Sequence, residues 1–165
     1  MDQTRLFNLL AWVAAGASSV LSSPIGRVVI APGTAEAWDD CCDGQLHVRV
    51  MRVAPRYNGR PAWDKTCTLL DYEVTLALGV TRCAAVVDDS GNAPSADAVS
   101  TDASHEVQDM AELLDFLLCT QFPLIEGSPH VIRWQPKPVQ GGCHGGEWEF
   151  MVRMPTLRPL PPETP

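Results

Sequence analysis

Positive charge is scarce in this sequence, and the shortage argues against two classes of partner. The 165 residues include 12 Lys and Arg against 20 Asp and Glu, which gives a formal net charge of -8. Only Lys65 and Lys137 are lysines. Because affinity for a phosphate backbone depends on contacts from Lys and Arg, the composition disfavours a nucleic-acid-binding protein. It disfavours a polybasic membrane anchor for the same reason.

The sequence signatures of common enzymes and metal sites are also missing. The chain has no G-x-S-x-G nucleophile elbow, no C-x-x-C pair and no EF-hand loop. The glycine-dense segment GGCHGG (141–146) lacks the Lys-Ser/Thr of a P-loop and leads into a strand pattern. We interpret it as a hairpin connection. The sequence predicts no catalytic, cofactor-binding or metal-binding residue.

Three groups of residues are the best candidates for chemistry. Cys143 and His144 pair a thiol with an imidazole, but adjacent residues rarely place both side chains in hydrogen-bonding geometry. Residues 39–43 (DDCCD) with His47 offer ligands to a cation, without the spacing of a known site. Four arginines within residues 49–60 form a modest basic stretch. We interpret that stretch as a solvated face or a subunit contact.

Six cysteines stand at positions 41, 42, 67, 83, 119 and 143. Their density is below that of a disulfide scaffold. Cys41 and Cys42 are adjacent, and adjacent cysteines rarely serve one tetrahedral metal site. Free or buried thiols are the preferred interpretation. One or two disulfides, or a metal site, remain alternatives.

The longest apolar segment, Leu6–Leu21, is shorter than the roughly 20 residues of a transmembrane helix. It lacks the basic start of a signal peptide, because Asp2 opposes the single Arg5. A secretory signal remains an alternative. We prefer a buried N-terminal helix, whose apolar side comprises Leu6, Leu9, Leu10, Val13, Val20 and Leu21.

Hydrophobic alternation predicts the β-strands. They are expected at Arg27–Ile30, Gln45–Val53 (closed by Pro55), Asp71–Arg82, Val131–Gln135 and Glu147–Met154. Asp71–Arg82 has the clearest period of two, with one apolar and one polar face. Gly79 in that strand indicates a bulge or a close approach by another backbone. Loops are expected at 35–45, 56–68 and 136–146.

A second helix is expected over residues 101–120, after a polar linker at 88–102. Strands and helices do not alternate strictly. The order therefore predicts an α+β fold, a mostly antiparallel sheet with the N-terminal and second helices on one face. Residues 1–154 are expected to form a single domain, and residues 155–165 a Pro-rich extended tail.

Four stretches resemble a known family of proteins: AWDDCCDGQLHVRVMRV, YEVTLALGVTRCA, PSADAVSTDASHEVQDMAELLDFLLC and GGCHGGEWEFMVRM. They are similar to small virion proteins of long-tailed actinobacteriophages, the tail terminator or head-to-tail connector proteins. The resemblance covers about residues 35–154. It implies a fold with an N-terminal helix, a sheet of hairpins, a helix across the sheet and a closing strand pair.

The resemblance also implies a function without enzymatic activity or cofactor. Such proteins form a ring, usually hexameric, that caps the tail tube and joins it to the head-proximal connector. The implied partners are further copies of the chain, the major tail tube protein and a head-to-tail stopper or connector. DNA passes through the lumen without specific binding, and no membrane is involved. The implied location is the virion neck, with assembly in the host cytoplasm.

Three alternatives accompany this interpretation. The chain is another neck ring, a stopper or adaptor, in the first. It is a small secreted cysteine-containing binding module in the second, because of Leu6–Leu21 and the six cysteines. It is a small hydrolase that uses Cys143 or His144 in the third and weakest.

Overall fold

Two helices and a mixed β-sheet make up the fold. The computed structural model describes residues 3–31, 41–57, 60–61 and 71–155. The helices are α1 (Gln3–Val20) and α2 (Ala96–Cys119), and a short 3-10 turn covers Cys41–Asp43. The strands are β1 (Arg27–Ala31), β2 (Gln45–Tyr57), β3 (Arg60–Pro61), β4 (Asp71–Cys83), β5 (His130–Gln140) and β6 (Cys143–Met154). These elements confirm the predicted α+β class.

The sheet is mostly antiparallel, as predicted. Its strands lie in the order β1-β2-β4-β6-β5, and the short β3 pairs with the far end of β2. β1 runs parallel to β2, whereas all other neighbouring strands are antiparallel. The two long hydrophobic strands β4 and β6 lie in the interior of the sheet. β1 and β5 lie at its opposite edges.

Both helices contribute to one hydrophobic core on the same face of the sheet. The core residues from the sheet alternate along their strands; they are Leu46, Val48, Val74, Leu76, Leu78, Val80, Phe150, Val152 and Met154. The core residues from the helices are Leu6, Leu9, Leu10, Val13, Ala14, Ala17, Leu113, Phe116 and Leu117. The predicted apolar side of α1 is thus confirmed for its first four members, whereas Val20 is 41% exposed. Within the described ranges, neither helix is long and apolar enough to cross a membrane.

β2 is longer than predicted, because Pro55 does not end it. The strand continues to Tyr57, and Pro55 pairs with Tyr72 of β4. β1 ends at Ala31, which pairs with Arg49. Beyond that point β1 no longer covers this side of β2, so a proline without an N–H group is tolerated there. The predicted loop over 56–68 is wrong where β2 and β3 occupy it; residues 58–59 and 62–68 lie outside the described residues.

The predicted loop at 136–146 is also wrong, because almost all of it belongs to a tight hairpin. β5 extends to Gln140, β6 begins at Cys143, and these two residues pair. Gly141 and Gly142 connect them with φ of 60° and 78°. Positive φ at both central residues is typical of a type I′ turn, whose twist matches that of the flanking strands. The interpretation of GGCHGG as a hairpin connection is confirmed, although most of its residues are strand.

α2 begins within the segment predicted as a linker. Its N-cap is Ser95, whose Oγ accepts a hydrogen bond from the backbone N–H of Ala98. The first turns have no buried side chain, so hydrophobic periodicity gave no signal there. The predicted loop at 35–45 contains the 3-10 turn at residues 41–43 and ends one residue earlier than predicted, because β2 begins at Gln45. Residues 32–40 and the tail from 156 lie outside the described residues.

Candidate functional site

The sheet has a second buried surface, on the face away from the helices. β4 was predicted to have one buried and one polar face. Ala77, Gly79 and Thr81 on the predicted polar face are nevertheless buried. On β2, the neighbouring Gln45, His47 and Arg49 have at most 3% exposure. This face therefore contains buried polar groups that require partners.

Gly79 is the centre of this second surface. In the strand register it pairs with His47 of β2 on one side and with Glu147 of β6 on the other. A Cβ atom on Gly79 would lie 2.4 Å from the carbonyl oxygen of Gly146 and 2.7 Å from His47 Cε1. The predicted close approach is thus confirmed. Because the middle strand has no side chain here, groups two strands apart can meet above it.

Glu147 is the acceptor of a buried ion cluster formed in this space. Arg49 binds both of its carboxylate oxygens, with Nη2–Oε1 at 2.6 Å and Nε–Oε2 at 3.2 Å. His47 Nε2 lies 3.3 Å and Lys137 Nζ lies 3.2 Å from the same Oε2. The Glu147 residue is only 2% exposed. We call Arg49, Glu147, His47 and Lys137 the charge cluster.

The charge cluster keeps Glu147 ionised. Burial by itself would raise the pKa of Glu147, but hydrogen bonds with His47 and Arg49 and the charges of Lys137 and Arg49 outweigh it. The pKa of Glu147 is therefore held well below its ordinary value of 4.5. A carboxylate so firmly ionised is a poor general acid or base near neutral pH. We assign the cluster a structural role.

Acid is expected to weaken the fold through this carboxylate. Because the pKa of Glu147 is lower in the folded state than in the unfolded state, its stabilising effect is complete above about pH 5 and is lost as the pH falls. Urea denaturation between about pH 6 and pH 3 measures this loss. The Glu147→Gln variant has no such carboxyl group, so its stability is expected to fall less steeply. Parallel curves for the two proteins would contradict the assignment.

A second ion pair fixes α2 to the sheet. Arg82 of β4 binds Asp109 of α2 through two hydrogen bonds of 2.6 and 2.8 Å. Asp109 is only 3% exposed although it is acidic, because this ion pair satisfies its carboxylate. Trp148 supports the same contact, since its Nε1 donates to the carbonyl of Met110 at 2.8 Å. Helix α2 is thus held by polar as well as apolar contacts.

Four cysteines meet at one end of the sheet. Cys41 forms a disulfide with Cys143, and Cys42 forms a disulfide with Cys83. The preferred prediction of free thiols is therefore wrong for these four residues. Pairing depends on the strand register, which sequence spacing does not give. Cys119 is a free, exposed thiol, and Cys67 lies outside the described residues.

A cavity of about 430 Å³ opens beside the two disulfides. All four cysteines line it, together with the Gly141–Gly142 turn and the apolar side chains of Ala84 and Val86. Among the described residues of its lining, Gln140 is the only one other than the cysteines with a polar side chain.

Cys143 and His144 are adjacent in β6, but their side chains have different partners on opposite faces of the sheet. Cys143 is bonded to Cys41, so it is not a nucleophile in this form. His144 lies on the helix-facing side of β6, where its Nδ1 is 3.4 Å from Glu106 Oε2 of α2. Successive residues of a strand point to opposite faces, which explains why the adjacent pair does not act together. The hydrolase alternative has no support from this geometry.

The residues proposed to hold a cation are dispersed as well. Cys41 and Cys42 are in disulfides, and His47 belongs to the charge cluster. Asp39 and Asp40 lie outside the described residues. With Cys41, Cys42, Cys83 and Cys143 held in disulfides, no group of three or more His, Cys, Asp and Glu side chains in the part of the chain that the structure describes is placed to hold a metal ion.

The four arginines of residues 49–60 do not form one basic surface. Arg49 is buried in the charge cluster, and Arg56 is paired with Glu73 of β4. Arg52 is exposed, and the side chain of Arg60 lies outside the described residues. The interpretation of this stretch as a single solvated face is therefore wrong for Arg49.

A search of protein-family models and of curated proteins finds no match to this chain.

Proposed function

We propose that this chain is a phage tail terminator, a virion protein that forms a ring on the tail tube and joins it to the head-proximal connector. The observation that carries the proposal is the placement of its elements. An N-terminal helix precedes the sheet, α2 lies across the sheet, and the β5–β6 hairpin closes it. This is the arrangement that the sequence resemblance implies for tail terminators.

The two edges of the sheet are suited to a closed ring. A ring requires a heterologous contact, in which one side of a subunit meets a different side of the next. β1 and β5 lie at opposite ends of the sheet, and each pairs with one neighbour among the described strands. Both edges carry exposed apolar side chains, Val28 on β1 and Ile132 and Val139 on β5. We therefore assign the subunit contact to these two edges.

The distribution of acidic residues is compatible with passage of DNA. α2 contains six acidic residues and no Lys or Arg; the acidic residues are Asp97, Asp102, Glu106, Asp109, Glu112 and Asp115. All except Asp109 are at least partly exposed. A surface of this charge repels the phosphate backbone, so DNA is not retained on it. The function requires passage without binding.

Native mass spectrometry of the purified chain tests the ring, with a denatured mass alongside. A closed oligomer of the full-length chain, hexameric for a terminator, is the expected result. The Ile132→Glu variant places a charge on the β5 edge and is expected to dissociate it. Val107→Glu, on the exposed side of α2, is the matched control and should leave it intact. Equal effects of the two substitutions would contradict the edge-to-edge contact.

The disulfides favour a second candidate, a secreted binding module. Structural disulfides form and persist mainly in oxidising compartments. Two disulfides that link the 3-10 turn to β4 and β6 fit such a protein. The mass and thiol content of the mature protein separate the candidates. Loss of the N-terminal segment together with oxidised cysteines would favour secretion, whereas an intact N-terminus with titratable thiols would favour the virion protein.

A further inference from the structure

Four cysteines from three segments form a compact group at one end of the sheet. The Cα atoms of Cys41 and Cys143 are 6.0 Å apart, and those of Cys42 and Cys83 are 4.3 Å apart. Cys83 and Cys143 are direct partners in the β4–β6 register, which places their Cα atoms about 4.5–5.5 Å apart. Cys41 and Cys42 are consecutive in the chain. The four Cα atoms therefore form a closed ring of short distances.

The sulfur atoms of this group share one space. Directly paired residues of neighbouring strands point to the same face of a sheet, so the side chains of Cys83 and Cys143 project together. The disulfides bring Cys41 and Cys42 to those two sulfurs. All four residues line the cavity of about 430 Å³. The cavity leaves a path by which a small ion can reach them.

We propose that the reduced form of this group binds one Zn²⁺ ion through the Sγ atoms of Cys41, Cys42, Cys83 and Cys143. Four thiolates are a common ligand set for tetrahedral zinc, with Zn–S distances of about 2.3 Å. The adjacent pair Cys41-Cys42 is unusual in such a site, but the other two ligands come from two different strands. They can approach the ion from the opposite side.

The two forms are related by a balanced exchange. Reduction of the two disulfides consumes four electrons and four protons, which two molecules of a dithiol reductant supply as they become cyclic disulfides. The four protein thiols then release four protons when they bind Zn²⁺ as thiolates. Oxidation by a disulfide reagent reverses the sequence. It reforms Cys41–Cys143 and Cys42–Cys83 and expels the ion.

The choice of reduced form in the cell rests on the proposed function. A neck protein assembled in a bacterial cytoplasm folds where thiols are kept reduced. Zinc would then hold the 3-10 turn against β4 and β6 in place of the disulfides. The geometry of the cysteines does not depend on that function, so the zinc site is tested separately from the ring.

Zinc content of the reduced full-length chain is the test. The chain is reduced, incubated with ZnSO₄, freed of excess ion by dialysis and analysed by native mass spectrometry and metal emission spectroscopy. One Zn²⁺ per chain is expected. Cys83→Ser is expected to weaken binding by more than about 100-fold, whereas Cys119→Ser, at the exposed free thiol, is the matched control and should bind normally. Retention of zinc by Cys83→Ser would overturn the proposal.

Cobalt binding by the unmodified chain keeps the test independent of variant folding. Co²⁺ in a four-thiolate site gives strong sulfur-to-metal charge-transfer absorption and intense tetrahedral d–d bands. These bands are expected in the reduced chain and absent after oxidation. A reduced chain that retains its far-UV circular dichroism and takes up neither Zn²⁺ nor Co²⁺ would overturn the zinc site.

The zinc site and the proposed function can fail separately. If the reduced chain forms rings but binds no zinc, only the zinc site is refuted. If the chain binds zinc but does not act on tail tubes, only the proposed function is refuted.

Discussion

Replacement of Glu147 by glutamine is expected to lower the free energy of unfolding by about 3–5 kcal/mol. Glu147 is a buried carboxylate that binds Arg49 through both of its oxygens and lies 3.2 Å from Lys137 Nζ. The substitution removes the charge of Glu147 from the buried guanidinium of Arg49 and breaks the two-point ion pair between them. Removal of one partner from a buried ion pair costs more than the pair contributed, since water cannot reach the remaining charge to replace the lost one. Urea denaturation at neutral pH measures the loss.

Glu149→Gln is the matched control for this prediction. Glu149 lies two residues further along β6 and pairs with Arg133, whose side chain is 63% exposed. Exposed ion pairs contribute about 0–1 kcal/mol, because water and salt screen them. The control should therefore lose less than about 1 kcal/mol. A loss for Glu147→Gln as small as that of the control would show that the charge cluster is solvated.

Replacement of Gly79 by alanine is expected to destabilise the protein by more than about 3 kcal/mol. The new Cβ would lie 2.4 Å from the backbone oxygen of Gly146, where no side-chain rotation can relieve the overlap. It would also force apart His47 and Glu147, whose side chains meet across this position. Backbone preference alone favours Ala over Gly in a strand by about 0.5–1 kcal/mol. A loss of stability is therefore attributable to these contacts.

Gly91→Ala separates packing from backbone strain in this experiment. Gly91 has a φ of +83°, but a Cβ added there would meet nothing within 4 Å. Its replacement is expected to cost about 1–2 kcal/mol, from the left-handed backbone alone. Thermal denaturation of both variants gives the comparison. A larger loss for Gly91→Ala than for Gly79→Ala would contradict the close contact at Gly79.

Most of the fold could be predicted from hydrophobic periodicity. The alternation of Asp71–Arg82 located β4, and the apolar spacing of Leu6 to Val13 located the buried side of α1. Errors arose where a local signal conflicted with tertiary context. Pro55 reads as a strand end, yet it is tolerated where β1 no longer covers β2. The first turns of α2 have no buried side chain, so they read as a linker.

The charge cluster and the disulfides could not be predicted, because both depend on the strand register. Arg49, Lys137 and Glu147 lie on three different strands, β2, β5 and β6. Nothing local distinguishes them from solvent-exposed charges of a polar face. Gly79 was the available signal, since a glycine in the interior of a strong strand indicates that something occupies the space above it. The cysteine pairs likewise required knowledge that β4 lies beside β6.

Electron microscopy of tail tubes tests the proposed function most directly. The major tail tube protein of the virion that the proposed function implies is polymerised alone, with this chain, and with its Ile132→Glu variant. We predict that the unmodified chain forms a ring at one tube end and stops elongation, so that tubes remain short. The variant should leave tubes as long as those of the tube protein alone. Tubes that elongate equally with and without a folded unmodified chain, with no density at either end, would contradict the account.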